Sequence, residues 1–208
     1  TMMSNNLYYT LENKEENKES EFGEIASSIL IEKKSKFISY VFSISNQEEA
    51  TKYIDIVKKK HYTAKHVVYI YSYLENKKSN IKFSDDGEPK GTGTKAIYET
   101  ITKEKITNIC IVIVRYFGGI LFGAGPLSRT YLNSARNSLL KCFKQEIYNY
   151  SHFAKKVKYD DFEKDRYYLN IYESNKKIKN LKIEYTDDVM ISCDVIDTEY
   201  EKFCNDIN

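Results

Sequence analysis

Two short stretches hold most of the residues whose types and spacing could do chemistry. The first is Phe83-Ser84-Asp85-Asp86-Gly87-Glu88-Pro89, with Gly91-Thr92-Gly93 behind it. Asp-Gly supplies turn geometry, and acids line the turn. Such a segment could hold a divalent cation or dock a basic partner. The other reading is an Asx-type turn whose carboxylates cap backbone N–H groups or pair with Arg115. For Asp85 and Asp86 individually the turn reading is preferred, because no third ligand is spaced to complete a hard-cation shell.

The second stretch is Arg115-Tyr116-Phe117-Gly118-Gly119-Ile120-Leu121-Phe122-Gly123-Ala124-Gly125-Pro126. An apolar run delivers Arg115 to its end, and a glycine-rich loop then feeds a helix with Pro126 in its first turn. Proline is favoured there because its missing N–H would lack an intrahelical partner anyway. The helix start offers open N–H groups and partial positive charge, with Arg129 expected in the first turn, so a phosphate or sulfate is expected after Gly125. The alternative is a tight strand-to-helix crossover whose glycines allow close packing, with Phe117 and Phe122 folded back as core. The candidate binding set over both stretches is Asp85, Asp86, Glu88, Arg115, Tyr116, Phe117, Gly118, Gly119, Gly123, Gly125 and Arg129, joined by His66. Seven of the eight glycines lie between Gly87 and Gly125. Glycine costs backbone entropy, so this clustering implies unusual φ/ψ or close backbone approach.

Familiar catalytic assemblies are not found. No G-K-[ST] follows the second loop, and no GxGxxG opens its helix. His61 and His66 lie five apart across a helix-to-strand junction, a poor metal geometry, and His152 has no companion. No Ser-His-Asp, Cys-His or HExxH arrangement can be assembled. No catalytic residue, metal ligand or cofactor is therefore assigned, and the two stretches read as a binding surface.

The elements that must position these residues follow from hydrophobic period. Ile25–Ile31 reads as a strand. Ile38, Tyr40, Phe42 and Ile44 alternate with Ser39, Val41 and Ser43 as a half-buried strand. Ser45-Asn46-Gln47-Glu48 has capping-box form, and Ala50, Tyr53, Ile54, Val57 and His61 recur at helical spacing after it. Ala64–Leu74 reads as a strand, Asn76–Asn80 as a polar turn and Thr94–Thr102 as a short helix. Ile109–Val114 is continuously apolar, as in a strand covered on both faces. Leu127, Tyr131, Ala135 and Leu139 mark a long helix. The remainder reads strand, helix, strand, strand, helix over His152–Tyr159, Asp160–Tyr172, Ile178–Tyr185, Val189–Ile196 and Thr198–Ile207. The fold class is α+β in two domains: residues 21–144 as a mixed sheet packed on two helices, and residues 145–208 as a ferredoxin-like domain. Residues 1–20 are rich in Asn, Glu and Lys and read as a disordered tail.

Composition narrows the partners. Net charge is only +2, so no global basic field points to nucleic acid. Locally, Arg129, Arg136, Lys141 and Lys144 occur without an acid from Ser128 to Lys144. Eight acids and one base occupy Ile183–Asn208. The four cysteines form no CxxC pair. No signal peptide or membrane-spanning run is read, so a reducing cytoplasm is the expected setting.

With these residues in view, the chain resembles the YigZ/IMPACT family. The resemblance is carried by Lys34-Ser35-Lys36-Phe37-Ile38, Ala64-Lys65-His66, the DDGEP string at Asp85–Pro89 with Gly91-Thr92, and Thr107-Asn108. It is carried above all by Arg115-Tyr116-Phe117-Gly118-Gly119-Ile120 through Gly123-Ala124-Gly125, Leu127, Arg129 and Tyr131. The chain departs from the pattern at Gly93-Thr94, Ala96, Pro126 and Leu121, the last standing where a lysine is common. The resemblance implies a first domain like domain IV of translation elongation factor G and a second like its domain V. Eukaryotic members regulate translation by competing for the activator of an amino-acid-starvation kinase. A cytosolic, non-enzymatic binding protein linked to translation is therefore expected. It would engage RNA, the ribosome or a translation-related protein, with Arg115, Arg129, Arg136 and Lys95 on phosphates. Two alternatives are a protein-interaction module that docks a basic partner on Asp85–Glu88, and an enzyme acting on a phosphorylated metabolite at Gly118–Gly125.

Overall fold

Alternation of apolar residues along the strands decides the architecture. The computed structural model describes residues 8–15 and 19–208. These fold as α+β in two units, Tyr8–Ile147 and Tyr148–Asn208. The first unit runs β1 (Tyr8–Asn13), β2 (Ala26–Glu32), β3 (Ser35–Ser43), α1 (Gln47–Lys60), β4 (His66–Glu75), β5 (Lys78–Ser84), α2 (Lys95–Lys103), β6 (Ile109–Tyr116), α3 (Ala124–Leu139) and β7 (Cys142–Ile147).

Five strands form a sheet in the order β2-β3-β6-β4-β5, and every neighbouring pair is antiparallel. This corrects the expected mixed sheet. Hairpins β2–β3 and β4–β5 turn on Lys33-Lys34 and Asn76-Lys77, four residues with positive φ, the conformation of the tight turns that join antiparallel strands. Strand β6 then inserts between the two hairpins. Its alternate residues serve two cores: Ile109, Ile111 and Ile113 meet α2 and α3, while Cys110, Val112 and Val114 meet α1. The sheet is thus covered by three helices on two faces, where two helices were expected. Strand β3 lies beside β6 and is buried on both faces, not half-buried: Phe37 and Val41 face α3, and Ile38, Tyr40 and Phe42 face α1.

Three local corrections follow, the first two from polar sequence that pairs through its backbone. Residues 8–13 were expected within a disordered tail, yet β1 pairs with β7 in register and Leu11 is buried in the core. The rest of that expectation, over residues 1–7 and 16–18, lies outside the described residues. The expected turn at Asn76–Asn80 is only two residues long, and β5 follows as an edge strand. The capping box is one residue later than expected. Asn46 Oδ1 accepts from Glu49 N at 2.9 Å, and Glu49 Oε2 accepts from Ser45 N at 2.7 Å.

The second unit runs β8 (Tyr150–Val157), α4 (Tyr159–Ser174), β9 (Ile178–Tyr185), β10 (Val189–Ile196) and α5 (Tyr200–Ile207), with sheet order β8-β10-β9. Strand β10, antiparallel to both neighbours, separates β8 from β9, as in a ferredoxin-like split β-α-β. Its core includes Val189, Ile191, Cys193 and Val195 from β10, packed with Phe162 and Leu169 of α4 and Phe203 of α5. No helix among the described residues is long and apolar enough to cross a membrane.

Strand β1 yields a test of its place in the core. Leu11→Ala should lower stability by about 2–5 kcal/mol, the cost of truncating a buried leucine. The midpoint of denaturant unfolding reads this loss, and an unchanged midpoint would return residues 8–13 to a tail.

Candidate functional site

The acidic turn follows β5, and Asp86 and Gly87 both adopt positive φ in it. Every carboxylate in the turn accepts a hydrogen bond from the chain itself. Asp85 accepts from the backbone N–H groups of Gly91 and Gly93 at 2.7 and 3.1 Å and from the Thr94 hydroxyl at 2.9 Å. Asp86 Oδ2 accepts from Val67 N at 2.6 Å, and its carbonyl accepts from His66 Nδ1 at 2.7 Å. A carbonyl can only accept, so His66 carries a proton on Nδ1. The Asx-type reading of Asp85 and Asp86 describes this geometry.

Glu88 and Arg115 form the centre of the site. Glu88 is 8% exposed and Arg115 5%, and Arg115 Nη1 donates to Glu88 Oε1 at 2.5 Å. Tyr131 Oη of α3 donates to the same oxygen at 2.6 Å. His66 Nε2 stands 3.6 Å from Glu88 Oε2. Burial, then the hydrogen bond to Glu88, pushes the Tyr131 phenol well above its ordinary value, so it serves as a donor. The guanidinium also lies 5.5, 5.8 and 4.9 Å from the ring centroids of Phe37, Phe117 and Phe122, within cation–π range. Arg115 was expected to touch phosphate. Its carboxylate partner and phenyl cage hold it inside, so this expectation is corrected.

The β6–α3 loop is held at its stems and open at its tip. A Cβ on Gly118 would lie 2.1 Å from the Lys34 carbonyl, so only glycine fits there. Gly118 N also donates to Ser35 Oγ at 3.1 Å. Gly119 has open space around it but φ +87°, a conformation that favours glycine. Phe122 folds back onto Phe37, edge to face at 5.9 Å. Phe117, Ile120 and Leu121 stay 45%, 41% and 83% exposed. Gly123 is the N-cap of α3, with no side-chain cap bond. Arg129 is the sixth residue of the helix, past the first turn where it was expected. Its guanidinium still reaches back, since Nη1 would lie 3.6 Å from a Cβ on Gly125, as helical side chains lean toward the N-terminus.

The structure thus gathers His66, Glu88 and Arg115 with Asp86 close by, and sets Phe117, Gly119, Gly123, Gly125 and Arg129 along the exposed loop and helix start. Tyr116 is not gathered with them. Successive strand residues point to opposite faces, so Tyr116 joins the α1 core while Arg115 does not. Its hydroxyl meets His61 Nδ1 at 2.7 Å, and the Tyr40 hydroxyl meets His61 Nε2 at 2.9 Å.

Comparison with known proteins now bears on this site. The family described as "Impact N-terminal domain" matches residues 33–139, just over half of the chain and the whole of the site. The chain belongs to the IMPACT family. The IMPACT family member YvyE of Bacillus subtilis (strain 168) is 40% identical over 111 residues, 53% of this chain and 50% of YvyE. The IMPACT family member YigZ of Escherichia coli (strain K12) is 33% identical over 109 residues, 51% of this chain and 53% of YigZ. The chain spans about half the length of the curated relatives it matches. A crystal structure described as that of "an hypothetical protein" aligns over 95% of this chain and 89% of its own, with TM-score 0.61 and 22% identity. That likeness shows the shared two-unit fold.

Within this IMPACT-family domain, sequence reasoning missed several parts of the site. Tyr131 was placed on the apolar face of its helix without a role for its hydroxyl. Phe37, whose ring packs on both Arg115 and Tyr131, is set there by register, since β3 pairs Phe37 with Arg115. Lys33, with its ammonium 5.2 Å from the Phe122 ring, carried no local signal.

Two outcomes test this geometry. Glu88→Gln leaves a buried guanidinium without its counter-charge and should cost about 3–5 kcal/mol, while adding Arg115→Met should recover part of that loss. Thermal unfolding measures both, and a Glu88→Gln protein as stable as the parent would refute the central role of the pair. Burial holds His61 below the ordinary imidazole value of 6.5, so the unfolded chain binds its proton at higher pH than the native one. Stability is then full above about pH 6.5 and falls as pH drops below it. Melting curves from pH 8 to pH 5 should slope less in His61→Gln than in the parent; parallel curves would exclude His61 as a source of the slope.

Proposed function

We propose that this IMPACT-family chain is a binding protein linked to the control of translation, and that it engages a translation-related protein partner through the β6–α3 loop. The family supplies the link to translation. The observation that carries the choice of surface is the exposed apolar tip, where Leu121 stands out beside Phe117 and Ile120. Large apolar side chains grouped at one surface point favour a partner that removes them from water.

Two finer expectations change with this reading. Docking a basic partner on the acids of Asp85–Glu88 loses its support, because all three carboxylates already accept hydrogen bonds from the chain itself. Phosphate contact through Arg115 loses its support for the same reason. The exposed cations Arg129, Arg136 and Lys95 remain for RNA or the ribosome, and the open start of α3 remains for a phosphate. The buried network acts as the anchor of the loop and the tip as its contact.

A cell-free translation reaction tests the proposal. Adding the purified chain should change protein output in a dose-dependent way, and Leu121→Asp should remove the effect without lowering the melting temperature. An output indifferent to the parent chain, or equally sensitive to Leu121→Asp, would reject it.

A further inference from the structure

The surroundings of the β6–α3 loop restrict what can cover it. Phe117, Ile120 and Leu121 are three exposed apolar side chains within five residues. Three basic residues lie close to them. Lys33 extends along the Phe122 ring, the Lys34 backbone abuts Gly118, and the Arg129 guanidinium lies beside Gly125. None of these three cations forms an ion pair among the described residues. Helix α3 opens at the same place with no acid in its first turn and no side-chain cap, adding the partial positive charge of its N–H groups. The two nearby acids do not offset this. Glu88 is paired with Arg115 in the interior, and Glu32 at the end of β2 is a single carboxylate.

We propose that the loop docks on an acidic, amphipathic segment of its protein partner. Apolar side chains of that segment would cover Phe117, Ile120 and Leu121, while its carboxylates meet Lys33, Lys34, Arg129 and the start of α3. This rests on the reading of the β6–α3 loop as the partner surface and adds the chemistry of what it recognises. Like charges across an interface cost several kcal/mol, so the unpaired cations at this rim disfavour a basic partner and favour an acidic one. Nucleic acid would satisfy the cations but not the tip. Bases need flat faces to stack on; of the three exposed side chains only Phe117 has one, its ring already stands by the Arg115 guanidinium, and the most exposed is the aliphatic Leu121.

The test uses the full chain and four defined probes, read by fluorescence anisotropy or co-sedimentation. They are a helical peptide with leucines on one face and glutamates on the other, the same peptide with lysines for glutamates, poly(U), and anionic phospholipid vesicles. The acidic peptide should bind about tenfold tighter than the basic one. Leu121→Ser should weaken it by about fivefold or more, the effect of removing a central apolar contact. Lys33→Glu combined with Arg129→Glu should invert the preference between the two peptides. Equal binding of both peptides, or binding indifferent to Leu121→Ser, overturns the proposal. Binding of poly(U) or vesicles that Leu121→Ser abolishes also overturns it, assigning the tip to RNA or to lipid. A chain that still changes translation output but shows no preference for the acidic peptide would sink this partner class and leave the proposed function standing. Loss of the translation effect alone, with the peptide preference intact, would do the reverse.

Discussion

A buried guanidinium needs a counter-charge, and that requirement organises the first unit. Removing an ion from water costs several kcal/mol even after the protein relaxes, so Arg115 and Glu88 can occupy the interior only together. Satisfying the pair draws four segments to one place. The turn after β5 brings Glu88, the end of β6 brings Arg115, α3 brings the Tyr131 hydroxyl, and the start of β4 brings His66. Phe37, Phe117 and Phe122 then surround the guanidinium, giving its flat faces aromatic contact in place of water. A residue set that reads as a ligand site is thereby turned into a clamp.

The acidic turn obeys the same logic with backbone donors. Positive φ at Asp86 and Gly87 curls the chain so that its own N–H groups, and those of neighbouring β4, point at carboxylates. Asp85 joins the turn to the start of α2 by accepting from Gly91, Gly93 and Thr94. The clustered acids are accounted for here by donors of the chain itself: Gly91, Gly93 and Thr94 on Asp85, Val67 on Asp86, and Arg115 and Tyr131 on Glu88. A carboxylate accepting several such charge-assisted bonds is held more firmly than neutral hydrogen bonds would hold it.

How much was legible in the residues depended on whether burial or backbone pairing made each element. Strand β6 was readable because both its faces are covered, which forces an unbroken apolar run, Ile109 to Val114. Helices α1 and α3 were readable because one face of each is covered. Strand β1 was not, since only Leu11 among its residues enters the core and the rest is held by pairing with β7. Strand β5 was hidden likewise, as a polar edge strand with no fully buried residue. At the site, Asp85, Glu88 and Arg115 stood out by type, but whether they faced water or each other is a matter of register and topology. Period alone could have separated Tyr116 from Arg115, because adjacent strand residues cannot share a face.

The clamp also explains how an apolar tip can stay exposed. A flexible loop carrying Phe117, Ile120, Leu121 and Phe122 would collapse onto the nearest core and lose its outward surface. Here the stems are fixed first. Phe117 and Phe122 lie against the caged guanidinium, Gly118 is pressed against the Lys34 carbonyl and bonded to Ser35, and Gly123 accepts the first backbone bond of α3 from Leu127. The residues between, turning on Gly119 in a conformation other residues resist, have nowhere to fold but outward. Ordering cost already met within the folded chain is cost that a binding event does not incur. The buried ion pair therefore bears on recognition without touching a partner: it holds in advance the shape that Leu121 presents.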